Sequence, residues 1–276
     1  MRCLMFPGQG SQRAGMGGDL FVRFPELTAT ANDVLGYAIE ESCVEDRRLA
    51  DTRYAQPAIF VVNALAAHRH LADSPEPYEF FAGHSLGEYN ALVAAGVLDF
   101  RSALELVSAR GRLMSRIRVG GMAAVLGLTA EEIEQTLRHA GCTGVFLANY
   151  NSDRQIVVAG HDAELTVATA ALRRAGAAQV APLAVSGPFH TPLMAPAVEP
   201  FRKTLSRYEF RDGKSVVISS VTGKPFQPEF AVDLLSRQIS SPVAWTNVVR
   251  TLRAAGVTRF DEVNGTILSG LMRDTS

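Results

Sequence analysis

Charge of one sign is what this 276-residue chain lacks. Lysine and arginine number 27 and aspartate and glutamate 28, which leaves a formal net charge of -1. So even a balance argues against a nucleic-acid binder. Cysteine is scarce. Cys3, Cys43 and Cys142 are odd in number and far apart, so they make neither a disulfide framework nor a CxxC metal site, and no metal is expected. They read as buried or inert thiols of a reducing cytoplasm. No run of 18 apolar residues occurs, so no membrane span is expected. The first residues, MRCLMFPGQG, lead straight into a strand and a turn without the pattern of a signal peptide. Internal repeats and low-complexity linkers are absent too. Apolar material is plentiful: 47% of residues are hydrophobic, enough for a sizeable core.

Short apolar runs alternate with amphipathic stretches, the pattern of an α/β protein with a mostly parallel sheet. Arg2 to Met5 reads as a strand ended by Pro7 and Gly8, and Glu79 to Ala82 as a short buried one. Pro57 to Leu71 reads as a helix with proline in its first turn. Leu86 to Ala95 and Arg101 to Met114 read as two more helices. Gly120 and Gly121 then break the chain. Strand, helix, strand, strand, helix and strand follow up to Leu183, the split-βαβ order of a small ferredoxin-like unit. The larger pattern resumes with a long helix, a strand at Ser215 to Ser220 and a last strand near Arg259 to Val263. The expectation is a large α/β domain, residues 1–120 and 185–276, with a small ferredoxin-like domain, residues 121–184, inserted in it.

The sharpest local signal is Gly83-His84-Ser85-Leu86-Gly87, a G-x-S-x-G pattern between a predicted strand and a predicted helix. A tight strand-to-helix turn strains the central residue and projects its hydroxyl. The flanking glycines remove side chains that would clash. The N–H of Leu86 then points to where a tetrahedral oxyanion would form. Serine needs a base. Among six histidines, His68, His70, His139 and His161 read as surface or helix-end residues, and His84 should point away from its neighbour. His190 lies in Ser186-Gly187-Pro188-Phe189-His190, a loop where the small domain ends, and is the candidate base.

Seven segments, in order and nearly end to end, resemble the malonyl-CoA:acyl-carrier-protein transacylase family. They are Phe6 to Gln12, Gln56-Pro57-Ala58, the elbow through Tyr89, Arg110 to Met114, Asn149 to Gly160, Phe189-His190 and Ser241 to Trp245. The chain looks most like the discrete acyltransferases that serve polyketide synthases in trans. The resemblance implies an α/β-hydrolase-like large domain and an enzyme that moves malonyl from malonyl-CoA to the phosphopantetheine thiol of an acyl carrier protein, in polyketide or fatty-acid biosynthesis. Ser85 would carry the acyl group and His190 act as its base, oriented by the backbone carbonyl of Gln238. Gln9 would complete the oxyanion hole with Leu86.

By spacing alone Arg110 reads as a cation on a solvated helix face. The resemblance makes it the planar, bidentate grip for the malonyl carboxylate. Phe189 resembles the form that goes with malonyl rather than methylmalonyl, because its ring fills the space of an α-methyl. Gln56 and Asn151 would line the pocket. Arg112, Arg116 and Arg118 are candidates for a basic patch facing an acidic carrier. No cofactor is implied, since coenzyme A is part of the substrate, and a cytoplasmic monomer is expected. The alternatives are a proofreading acyl-carrier-protein hydrolase on the same fold and a non-catalytic carrier-docking module. One departure stands out. Glu262-Val263-Asn264-Gly265 replaces the family's usual Gly-Pro-Gly turn.

Overall fold

In the computed structural model, which describes all 276 residues, eight strands form two sheets. They are β1 (Arg2–Phe6), β2 (Phe80–Gly83), β3 (Gly121–Leu126), β4 (Val145–Ser152), β5 (Gln155–Gly160), β6 (Gln179–Pro182), β7 (Val216–Ile218) and β8 (Arg259–Glu262). The first sheet has the order β7-β2-β1-β8 and is parallel throughout. Its central strand β1 is buried at all five positions, as a strand covered on both faces must be. The second sheet has the order β4-β5-β3-β6 and is antiparallel. With two helices, Ala130–His139 and Asp162–Arg174, it is the split-βαβ arrangement that the order of elements predicts.

Three apolar clusters follow this division. The largest packs β1 and β2 against the helices Thr52–Asp73, Gly87–Ala95 and Phe100–Met114. A second fills the space between the antiparallel sheet and its helices, around Val125, Ile133, Val158 and Leu172. The third packs the opposite face of β1 against Trp245, Val248, Val249 and Leu252. No helix is long and apolar enough to cross a membrane.

The helix expected to begin at Pro57 begins at Thr52 instead. Asp51 caps it, its carboxylate accepting from the Arg53 N–H at 2.9 Å. Pro57 sits inside, where it costs one intrahelical bond. The segment between the first motif and residue 50, unread from the sequence, holds four helices of 4 to 11 residues. β4 runs through eight residues to Ser152, with register shifts against β5 at Leu147/Asn149 and Tyr150/Ser152. The antiparallel sheet is stitched by backbone to the loop that precedes the helix Trp245–Ala254. Tyr150 donates to the Val243 carbonyl and Val243 to the Ala148 carbonyl, both at 2.9 Å.

Candidate active site

β2 and the helix Gly87–Ala95 meet at Ser85, whose φ of 52° places it in the left-handed region. A bend this tight works only if the backbone can touch itself. A Cβ on Gly83 would lie 2.0 Å from the Gly87 carbonyl carbon, and one on Gly87 would lie 2.1 Å from the Phe6 carbonyl oxygen. The two glycines of the pattern are therefore obligatory, and the elbow is wedged against the end of β1.

His190 reaches the elbow from 105 residues away. Its Nε2 lies 2.7 Å from Ser85 Oγ. It too has a positive φ, 62°, and its N–H donates to the Ile239 carbonyl at 3.0 Å. On the other ring nitrogen, Nδ1 faces two carbonyl oxygens, Gln238 at 2.8 Å and Ser241 at 3.2 Å. Carbonyls only accept, so Nδ1 carries the proton and Nε2 presents its lone pair to the serine. Burial, and then the Arg110 charge, pushes the imidazole down to about 3. The ring is thus neutral at physiological pH.

The Arg110 side chain is among the largest fully buried in the molecule. Solvated-face spacing gave no sign of this. Its Nη1 donates to Gln56 Oε1 at 2.8 Å, and its Nη2 to Ser85 Oγ and Gln238 Oε1, both at 3.0 Å. Every acceptor is neutral, and Nε has no partner. Burial lowers its pKa, but guanidinium stays protonated in proteins. A buried cation without a counter-ion is costly, and here it stands against a nucleophile.

A cavity of about 70 Å³ joins these groups. Gln9, Gln56, Ser85, Leu86, Arg110, Phe189 and His190 all line it. The backbone N–H groups of Gln9 and Leu86 donate to no other group of the chain. The side chain of Gln9 is engaged, its Nε2 donating to Thr52 Oγ1 at 3.1 Å. Two wider grooves adjoin. One, about 210 Å³, shares Gln9, His84 and Asn149; the other, about 520 Å³, shares His190 and runs along Leu137, Tyr150 and Ser241.

Asn151 lies in the 210 Å³ groove rather than with Ser85, its Oδ1 2.9 Å from His84 Nε2. Asn149, two residues earlier on the same face of β4, takes the place in the inner cavity. Met114 and Met122 line the cavity as well. His84 indeed points away from the nucleophile, toward β4 and Trp245. Arg112, Arg116 and Arg118 are exposed. They sit close to the His190 loop, since a Cβ on Gly187 would meet the Ile117 carbonyl at 2.4 Å. Sequence reasoning passed over Glu88, wholly buried one turn past the nucleophile. The one charged residue in the helix Gly87–Ala95 was the available signal.

Comparison with known proteins places this geometry. Residues 3–264 match the family model described as acyl transferase domain. PksC of Bacillus subtilis, a polyketide biosynthesis malonyl CoA-acyl carrier protein transacylase, is 43% identical over 272 residues, 97% of this chain and 94% of PksC. The polyketide biosynthesis protein ThaF of Burkholderia thailandensis is 42% identical over 276 residues, 99% of this chain, which spans only 24% of ThaF. The crystal structure of malonyl CoA-acyl carrier protein transacylase from Burkholderia pseudomallei superposes with a TM-score of 0.94 at 42% identity, covering 99% of this chain and 97% of that one. With a matched family model across nearly its whole length and relatives of this identity, the chain belongs to the acyl transferase family, among the malonyl CoA-acyl carrier protein transacylases.

Proposed function

We propose that this chain transfers a malonyl group from malonyl-CoA to the phosphopantetheine thiol of an acyl carrier protein, through an ester on Ser85. The observation that carries the reading is the buried guanidinium of Arg110, which meets only neutral acceptors and lies in one cavity with the Ser85–His190 pair. A carboxylate one methylene away from a thioester carbonyl supplies the missing counter-charge and delivers that carbonyl to the hydroxyl.

His190 Nε2 takes the Ser85 proton as Oγ forms its bond to the thioester carbon. Negative charge then gathers on the carbonyl oxygen, where the Gln9 and Leu86 amides receive it. The C–S bond breaks, and coenzyme A leaves with the proton from Nε2. The carrier thiol repeats the sequence in reverse, so the exchange is ping-pong. Once the substrate carboxylate pairs with Arg110, the charge that depresses His190 is offset and the base strengthens as it is needed. The steps use only the chain's own groups, with coenzyme A as substrate and no metal or bound cofactor.

Phe189, 4% exposed, walls the cavity and favours malonyl over methylmalonyl. Arg112, Arg116 and Arg118 face an acidic carrier protein. The likeness to PksC and ThaF supports a part in polyketide biosynthesis; the chain would serve the synthase in trans, as a monomer. Three free thiols suit a cytoplasmic setting. The hydrolase and docking-module alternatives give Arg110 no task.

The test is an intact-mass measurement after incubation with malonyl-CoA. A malonyl adduct that is absent in Ser85→Ala and moves to a carrier protein supports transfer. Rapid release of malonate without transfer would place the chain with the hydrolases, and no labelling by any donor with the docking modules.

A further inference from the structure

Gln238 has two tasks in the structure. Its main-chain carbonyl accepts from His190 Nδ1 at 2.8 Å. Its side chain, wholly buried, reaches the other functional group of the site, where Oε1 accepts from Arg110 Nη2 at 3.0 Å. The amide nitrogen of that side chain donates to Glu88 Oε2 at 2.6 Å and to the Ser85 carbonyl at 3.2 Å. A guanidinium on one side and a carboxylate on the other fix which way the amide faces, since a flipped amide would meet a donor with a donor.

Glu88 is equally constrained. Ser220 donates to the same Oε2 from its hydroxyl at 2.6 Å and its N–H at 3.2 Å. Burial raises the Glu88 pKa, against which these donors act. Three donors thus converge on Oε2, while Oε1 is buried without a partner. Glu88 stands one amide away from Arg110. At that remove the Glu88 carboxyl orients the amide that faces the guanidinium without occupying the guanidinium itself. A carboxylate in direct contact would take the fork that a substrate needs.

Building on the malonyl-transfer reading, we propose that Glu88 and the Gln238 side chain are positioning residues for substrate choice. They hold Arg110 aimed into the Ser85 cavity while leaving it free for a carboxylate of the substrate. The Gln238 main chain serves the base, and its side chain serves the clamp.

The test separates these two tasks through Ser85 acylation kinetics with malonyl-CoA and acetyl-CoA. Gln238→Glu keeps the main-chain carbonyl on His190 but sets a carboxylate against Arg110. Its KM for malonyl-CoA is expected to rise about tenfold or more, and the malonyl-to-acetyl ratio of kcat/KM to fall by a similar factor, whatever happens to the shared chemical step. Glu88→Gln, nearly isosteric, should shift the malonyl-to-acetyl ratio in the same direction by a smaller factor. In an Arg110→Ala background neither change should alter that ratio further, because the two act through Arg110. Malonyl and acetyl rates falling together in both variants would make the contacts merely structural and overturn the proposal, as would an unchanged malonyl KM. Should Gln238→Glu not fold, Glu88→Gln with the Arg110→Ala pair decides alone. Failure of the parent protein to take malonyl at all is a separate result, and it overturns the transfer reading beneath.

Discussion

Arg110 Nη2 lies 3.0 Å from Ser85 Oγ, so the clamp and the nucleophile are in direct contact. A substrate that bridges them must therefore be short. Malonyl, with one carbon between its two carbonyl carbons, fits that separation, whereas succinyl must buckle. Ser85 acylation should favour malonyl-CoA strongly over succinyl-CoA. Arg110→Met should lower malonyl kcat/KM by about 100-fold or more, the scale of losing one partner of a buried charge pair, while acetyl transfer is kept or gained. Parent-level malonyl transfer in Arg110→Met would remove the clamp.

The base makes a pH prediction. With His190 held down to about 3, its lone pair is available throughout the neutral range, and kcat/KM should lose activity only as pH falls toward that value. Arg110→Met removes one lowering cause and should move this limb upward. Stability follows the same sign. In the unfolded chain the imidazole protonates near its ordinary value of about 6.5, but in the folded chain it does so only far below. This group's contribution is therefore full above 6.5 and erodes as pH drops from there toward 3. An acid limb fixed near 6.5 in both proteins would contradict the geometry.

Phe189 sets a steric prediction. Phe189→Ser should relax discrimination between malonyl-CoA and methylmalonyl-CoA by about 10- to 200-fold, the worth of one methyl group in an apolar pocket. The ratio of acylation rates is the measure, since truncating a buried ring also costs stability.

The elbow itself is intolerant. Gly83→Ala places a Cβ 2.0 Å from the Gly87 carbonyl carbon, backbone against backbone. Thermal unfolding should show a loss of about 2 kcal/mol or more, with Ser85 acylation abolished in whatever protein folds.

Asn264 carries the departure from the family's usual turn. It has φ 58°, and its Nδ2 donates to the Val62 carbonyl and to Asn63 Oδ1, each at 3.1 Å. Asn63 in turn donates to the Pro7 carbonyl at 3.0 Å, two residues before the Gln9 amide. Asn264→Ala should cost about 1–3 kcal/mol and lower kcat more than it raises KM. Asn264→Gly should recover only the part due to φ. Equal stability of all three proteins in denaturant titration would show the turn to be indifferent.

Local physics made some of this legible in the sequence. Gly83 and Gly87 announce the elbow because the steric demand lies within five residues. Residues 121–182 reveal their small unit because its strands and helices follow in order. Long-range facts were not readable in the same way. The loop position of His190 made it a candidate base and the ordered resemblance gave it and Arg110 their roles, but the burial of Arg110 followed from neither. Glu88 and the Gln238 side chain escaped because their roles exist only once helices distant in the chain meet. Asn151 lines the groove beside the Ser85 cavity and Asn149 the cavity itself, a choice that β-strand alternation leaves open. The early helices Gly18–Arg23, Pro25–Leu35, Ile39–Val44 and Asp46–Leu49 are too short to establish a period.

The backbone stitches between β4 and Val243 bear on protein engineering. Val243 follows closely on Ser241, whose carbonyl helps to hold the catalytic imidazole. A chimera that exchanges residues 121–182 for those of a relative would thus graft new edges onto the segment that aligns the base. Such hybrids should keep their turnover only when residues 241–243 travel with the transplanted piece.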